Sequence, residues 1–270
     1  MSELVSELGS ELVRVEQSGS TWTLTLNRPE KRNALNAEMV EALHQTVGLV
    51  HARAGEVLVL RGEGKSFCAG FDFSGFEQAS DGDLLWRFVR IEQLLQTLHQ
   101  SPCLTVALAQ GPTFGAGVDL LATCKRRIAT PDATFRMPGL KFGLVLGTRR
   151  LAGLIGAQSA REIQEVAATL GASEALSRGL VSSLAEAEDW PKVVVESEAI
   201  AAALEPAVRA HLYRVLTTDQ GAADLADLVR SVVGAGAAGT AGGFARGGEP
   251  GGELGLKARI AKYLKPSAAA

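Results

Sequence analysis

Cysteine, histidine and tyrosine are scarce in this 270-residue chain, with three, four and two copies. Cys68, Cys103 and Cys124 are odd in number and far apart, which excludes a disulfide framework and the paired spacing of a zinc site. They are expected as reduced thiols in the cytosol. His44, His51, His99 and His211 are dispersed with no HExxH-like cluster, so no metal is expected. Neither charge sign is in excess: 27 basic and 30 acidic residues give a net charge of -3, and the scattered Lys and Arg leave no footprint for nucleic acid. No apolar run reaches the length of a membrane span, the most apolar, Leu104 to Ala109, being strand-sized. Met1 to Glu11 alternates Ser, Glu and Leu with no basic segment, and no secretory signal is expected. A soluble cytoplasmic protein is the expectation, with neither nucleic acid nor membrane as a partner.

What remains is a chain that is 46% apolar and 21% charged, enough to bury one large core. Val13 to Glu16 and Thr21 to Leu26, separated by Gln17-Ser18-Gly19-Ser20, predict a hairpin. Asn36 sits where it can cap a helix whose apolar face is Met39, Val40, Leu43, Val47 and Val50. Glu56 to Arg61 and Cys103 to Ala109 predict buried strands, with a helix over Leu84 to His99 between them. Short strands follow at Arg127 to Ala129 and Thr134 to Met137. Strands alternating with helices predict an α/β core with crossover connections.

From Leu151 onward the pattern turns helical, through Ala160 to Leu170 and Glu196 to Leu216. Residues 1–190 are expected as the core and 191–233 as a helical region. The stretch 234–252, dominated by Gly and Ala, is expected as a flexible linker. Within 253–270, Leu254, Leu256, Ile260 and Leu264 recover helical spacing. That tethered helix can dock on a neighbouring subunit or on its own chain.

Two glycine-rich stretches suggest phosphate binding and fail on inspection. In Gly62-Glu63-Gly64-Lys65-Ser66 the end mimics a P-loop, but the glycine that must open such a loop falls on Val59, inside a predicted strand. Gly111-Pro112-Thr113-Phe114-Gly115-Ala116-Gly117 has glycines at the wrong offsets for a dinucleotide fingerprint, and Pro112 removes a donor. Each stretch still follows a buried strand. Phe67-Cys68-Ala69-Gly70-Phe71-Asp72 and Gly115-Ala116-Gly117-Val118-Asp119 can both aim backbone N–H groups into a cleft, the second at the start of a helix predicted over Ala116 to Lys125. A pair of such donors is what a developing oxyanion requires.

With Leu26-Asn27-Arg28-Pro29-Glu30-Lys31-Arg32-Asn33-Ala34-Leu35-Asn36 upstream, these segments resemble the crotonase (enoyl-CoA hydratase/isomerase) superfamily over roughly Val13 to Leu184. The resemblance implies an α/β crotonase-like spiral of ββα units with a helical C-terminal region, assembly as a homotrimer or hexamer, an acyl-CoA thioester as substrate, and no cofactor. Carried over, the oxyanion donors are the N–H groups of Phe71 and Ala116, flanked by Ala69, Gly70 and Gly115. Relatives usually carry Gly at the second place, and the Ala116 methyl is tolerated there only if φ is negative. Arg28, Lys31, Asn33 and Ala34 fall in the loop that contacts CoA in the family. Lys31 is either a phosphate contact or a solvated turn residue.

Hydratases of this family hold one water between two glutamates. The first place matches Asp119, three residues after Ala116 and on the same helical face. Asp119 is the candidate proton-handling side chain, or alternatively a helix-start residue paired with backbone or a cation. Early-helix position favours its charged form and burial the neutral one. The second place falls on Gly139, so two-carboxylate water activation is lacking. Isomerisation, decarboxylation and hydratase-like addition all fit the remaining half-site, as does a non-catalytic acyl-CoA-binding subunit. Arg136, Arg149 and Arg150 could bring positive charge to the cleft or act as structural pairing residues. Cys68 could be a nucleophile only with a basic neighbour to lower its pKa, and none is evident.

Overall fold

A computed structural model describes residues 10–233 and 255–265. The linker expected at 234–252 lies outside the described residues. Strands β1 (Val13–Ser18) and β2 (Thr21–Leu26) form the expected hairpin, Val13 opposite Leu26 and Ser18 opposite Thr21. Helix α1 (Ala37–Ala52) starts at Asn36, whose side chain accepts the Met39 N–H at 2.9 Å. Strand β3 (Val57–Gly62) leads to α2 (Asp81–His99), which begins earlier than its apolar spacing predicts because Ser80 and Asp83 form a reciprocal capping box. Next come β4 (Leu104–Ala109), β5 (Pro112–Phe114), α3 (Ala116–Ala122), β6 (Arg126–Ala129), β7 (Thr134–Arg136) and a 3-10 turn at Gly139–Phe142. The chain continues with α4 (Thr148–Ile155), α5 (Ala157–Val166), β8 (Thr169–Gly171), α6 (Ala172–Ser177) and β9 (Ser183–Leu184). It closes with α7 (Trp190–Ala202), α8 (Pro206–Leu216), α9 (Gly221–Val233) and α10 (Leu256–Leu264).

The larger sheet has the order β1-β2-β3-β4-β6-β9, parallel except for the opening hairpin; the smaller has the order β5-β7-β8. Both faces of the larger sheet are covered, as a parallel sheet requires. Leu58 and Leu60 of β3 point into the main core with α1 and α2, while the alternating Val57 and Val59 join a second cluster with Val193 and Ala201 of α7.

Three helical expectations are corrected. The helix expected to reach Leu170 stops at Val166: Ala167 turns left-handed with φ 54 and bonds back to Ile163, and Leu170 pairs with Phe135 in the smaller sheet. The helix expected over Glu196 to Leu216 is two, split before Pro206, which lacks the N–H needed for continuation and sits in the first turn of α8. The helix expected to reach Lys125 ends at Ala122, because the Lys125 N–H returns to the sheet at Thr105 O (3.0 Å).

Of the two dockings open to the C-terminal helix, the structure has it on its own chain. Leu256 and Ile260 are fully buried, and the Arg259 guanidinium donates to the carbonyls of Gly143, Ser231 and Val232. Among the described residues no helix is long and apolar enough to cross a membrane.

Candidate active site

Two backbone turns are locked together at the ends of β3 and β5. The Phe114 N–H donates to Cys68 O at 3.0 Å, and glycines let the turns touch. A Cβ on Gly70 (φ 85) would lie 2.4 Å from Phe114 O and 3.1 Å from Ala116 N, and one on Gly117 would lie 2.2 Å from Cys68 O. Any side chain at either place would push the segments apart. Phe71 and Ala116 are thereby brought side by side on one cavity, and among the described residues neither backbone N–H has a backbone acceptor. The positive φ falls on Gly115 (φ 50), so Ala116 carries its methyl without strain.

The cavity has a volume of about 120 Å³. Ala69 and Gly115 also line it, and five of the nine phenylalanines do so, with Tyr263 from α10. The Phe71 ring stacks on Phe88 with centroids 4.2 Å apart, and the Arg87 guanidinium lies 4.3 Å from its centroid. These contacts fix the residue that carries the first donor.

Asp119, one turn into α3, lines the same cavity and is 3% exposed. Its Oδ1 is buried with no hydrogen-bond partner among the described residues. The backbone of Gly147 packs against it so closely that a Cβ there would sit 1.7 Å from Oδ1. Burial pushes the Asp119 pKa well above the usual carboxylate range; the nearby Arg150 charge opposes this and Glu92 adds to it. Burial wins the contest left open by sequence, and α3, at seven residues, is short.

A stability consequence follows. Because the folded pKa is raised, the native state holds a proton that the unfolded chain has released above about pH 4. Asp119 thus costs stability that grows as pH rises toward its folded pKa, and Asp119→Asn removes that cost. Urea unfolding at pH 5 and pH 8 is expected to show the variant gaining on wild type at the higher pH. An identical pH slope for both proteins would contradict a raised pKa.

The loop from Arg28 to Asn36 is tied to the first turn rather than opened to the cavity. Asn33 is fully buried, with φ 55, and its side chain bonds Glu63 O, Ser66 O and the Arg28 N–H. The Arg28 guanidinium donates to Ala34 O at 2.7 Å and pairs with Asp72 at 2.9 Å. The Ala69 N–H donates to Arg32 O and the Leu35 N–H to Gly70 O. Arg28, Asn33 and Ala34 therefore serve here as a brace behind Gly70 and Phe71. Lys31 is exposed in a 3-10 turn, and none of the four lines the cavity.

Gly139 does line it, in the turn after β7, where an added Cβ would meet only Leu144 O, at 3.1 Å. Arg136 also lines the cavity, with its Nε donating to Ala167 O. Arg150 is instead a buried pairing residue, bonded to both Glu92 oxygens at 2.9 and 2.5 Å, and Arg149 pairs with Asp224 and Asp227. The Cys68 thiol donates to Asn33 O, and burial pushes its pKa up to about 12, so it is no nucleophile. Among the described residues no three His, Cys, Asp or Glu side chains are grouped to hold a metal.

Sequence reasoning missed Gln164, Tyr263 and Glu92. Gln164 reaches the cavity from α5, held by Thr148 Oγ1 at 3.2 Å. All three come from distant elements, and only the helical spacing of α10 gave a hint.

An α/β core thus presents two backbone N–H groups and a buried acid on one cavity. Residues 16–224 match the family model described as enoyl-CoA hydratase/isomerase, and the chain belongs to that family, which acts on acyl-CoA thioesters. A Mycobacterium tuberculosis protein named as a probable enoyl-CoA hydratase, echA6, is 35% identical over 214 residues, 77% of this chain and 83% of its own. The solved structure of a Bordetella parapertussis protein assigned to the enoyl-CoA hydratases/isomerases is 48% identical, with a TM-score of 0.85 over 95% of this chain and 99% of that one. Human ethylmalonyl-CoA decarboxylase is 28% identical over 197 residues, 70% of this chain and 64% of its own. The crotonase fold is thus shown, and the chain is an enzyme of this family.

Proposed function

We propose that this enzyme stabilises an acyl-CoA thioester enolate between the N–H groups of Phe71 and Ala116, and that Asp119 moves a proton to and from that enolate. The observation that carries the reading is the coincidence, on one cavity, of two backbone donors without backbone acceptors and a buried carboxyl oxygen, Asp119 Oδ1, without a partner among the described residues. The donors neutralise charge that appears on the thioester oxygen when the α-carbon loses a proton. The Asp119 carboxylate takes that proton from one carbon, and the resulting acid returns it to another. A double-bond shift, an isomerase-type step, needs no more than this. Hydration needs a second group to hold and activate water, and that place is Gly139. Assembly as a homotrimer or hexamer through the helical region 191–233 belongs to the same proposal. Exposed Val208, Leu212 and Val215 on α8 support it.

The test is a pair of assays, double-bond shift of a trans-3-enoyl-CoA and hydration of a trans-2-enoyl-CoA, on wild type and Gly139→Glu. Wild type is expected to shift the double bond with little hydration. The variant is expected to gain hydration by at least about ten-fold, since a base at this place supplies the missing half of the acid/base pair. Wild-type hydration as fast as isomerisation would overturn the reaction assignment. Thioester binding without turnover of either substrate would leave an acyl-CoA-binding subunit in its place.

A further inference from the structure

We propose that the acyl end of this site accepts one aromatic ring, and that Tyr263 closes the pocket at that size. The inference rests on the thioester reading above and adds to it the class of acyl group. The cavity of about 120 Å³ is no larger than the ~150 Å³ of an apolar cavity that holds benzene and is shared with the thioester at Phe71 and Ala116, so its size favours a compact acyl group such as one ring over a fatty chain.

Its walls are aromatic in a connected set. Phe71 meets Phe73 edge-on at 5.1 Å, Phe73 meets Phe142 edge-on at 5.8 Å, and Tyr263 lies 5.2 Å from Phe142 and 6.4 Å from Phe73. These separations are those at which ring faces and edges attract, and a guest ring extends the same pattern. Buried Leu144 and Leu146 also line the cavity.

The closing side is α10. It is held by the burial of Leu256 and Ile260, by the three carbonyl bonds of Arg259 and by the Lys257 N–H on Asp81 Oδ1 at 2.7 Å. Gly143 (φ 72) lies directly against the Arg259 guanidinium. Tyr263 is therefore presented to the cavity from an anchored helix, and its ring is the part of the closure that a substitution can remove.

Calorimetric titration with phenylacetyl-, cyclohexylacetyl- and dodecanoyl-CoA tests this on wild type, Tyr263→Ala and Tyr263→Phe. On wild type, phenylacetyl-CoA is expected to bind about two- to ten-fold tighter than cyclohexylacetyl-CoA, which has the same reach without the π system. Dodecanoyl-CoA is expected to bind at least about ten-fold more weakly than phenylacetyl-CoA, because it must overfill the pocket. Tyr263→Ala is expected to bring dodecanoyl-CoA to within about three-fold of phenylacetyl-CoA, while Tyr263→Phe keeps the wild-type order. Equal wild-type affinity for dodecanoyl- and phenylacetyl-CoA, or for the two ring esters, would overturn the inference and leave the thioester reading standing. Binding of none of the three esters would remove both.

Discussion

Asp119→Asn is expected to lower kcat by on the order of 10²- to 10⁴-fold while acyl-CoA affinity stays within a few-fold of wild type. The asymmetry comes from the burial of this side chain. Burial favours the neutral carboxyl, which an amide matches in shape and charge, so packing and substrate binding are expected to change little. What it cannot do is carry a proton. The pH profile adds a second reading. A double-bond shift starts from the carboxylate, so kcat/KM is expected to climb with pH through the raised pKa of Asp119. A profile that falls with pH means that the acid is the resting form, and the reaction is then one that protonates an enolate left by a departing group. Retention of kcat within ten-fold in the asparagine variant would remove Asp119 from the chemistry.

Ala116→Pro is the second large effect, and it isolates a backbone atom. Position 116 is the first residue of its helix, the place where proline is best tolerated because the N–H has no intrahelical acceptor. The preceding residue is Gly115, the residue type least hindered by a following ring. The fold is therefore expected to survive, with stability within about 1 kcal/mol of wild type. The loss of one oxyanion donor is expected to cost about 10²- to 10³-fold in kcat/KM. Ala116→Gly keeps the N–H and serves as the control, with activity near wild type. Activity within ten-fold of wild type in the proline variant would show that the Ala116 N–H is not a donor.

The elements that could be read from the sequence are those whose signal is local and periodic. The hairpin, the Asn36 cap and the alternating β3 all depend on residues adjacent in the chain. Leu170 escapes the helical pattern because a three-residue strand has no period of its own, and its place is decided by Phe135 across the smaller sheet. The site divides in the same way. Motif spacing singles out Phe71, Ala116 and Asp119 as candidates, and all three line one cavity. Glu92 looks in sequence like one more charge on a helix face; its burial depends on Arg150, 58 residues away. For Arg28 and Asn33, nothing local in the sequence reveals that their side chains bond Asp72, Glu63 and Ser66.

Gly139 also bears on how such an enzyme could change over generations. Glycine and glutamate codons can differ by a single base, and position 139 combines a place on the cavity with an ordinary backbone and an opening obstructed by one carbonyl. Gly70, Gly117 and Gly147 have no such freedom, because a side chain at any of them runs into backbone or into Asp119. On the proposed reading the choice of reaction is concentrated at one mutable position, while these glycines are fixed by close packing. A lineage could exchange proton shifting for water addition there in one mutational step without first surrendering its fold.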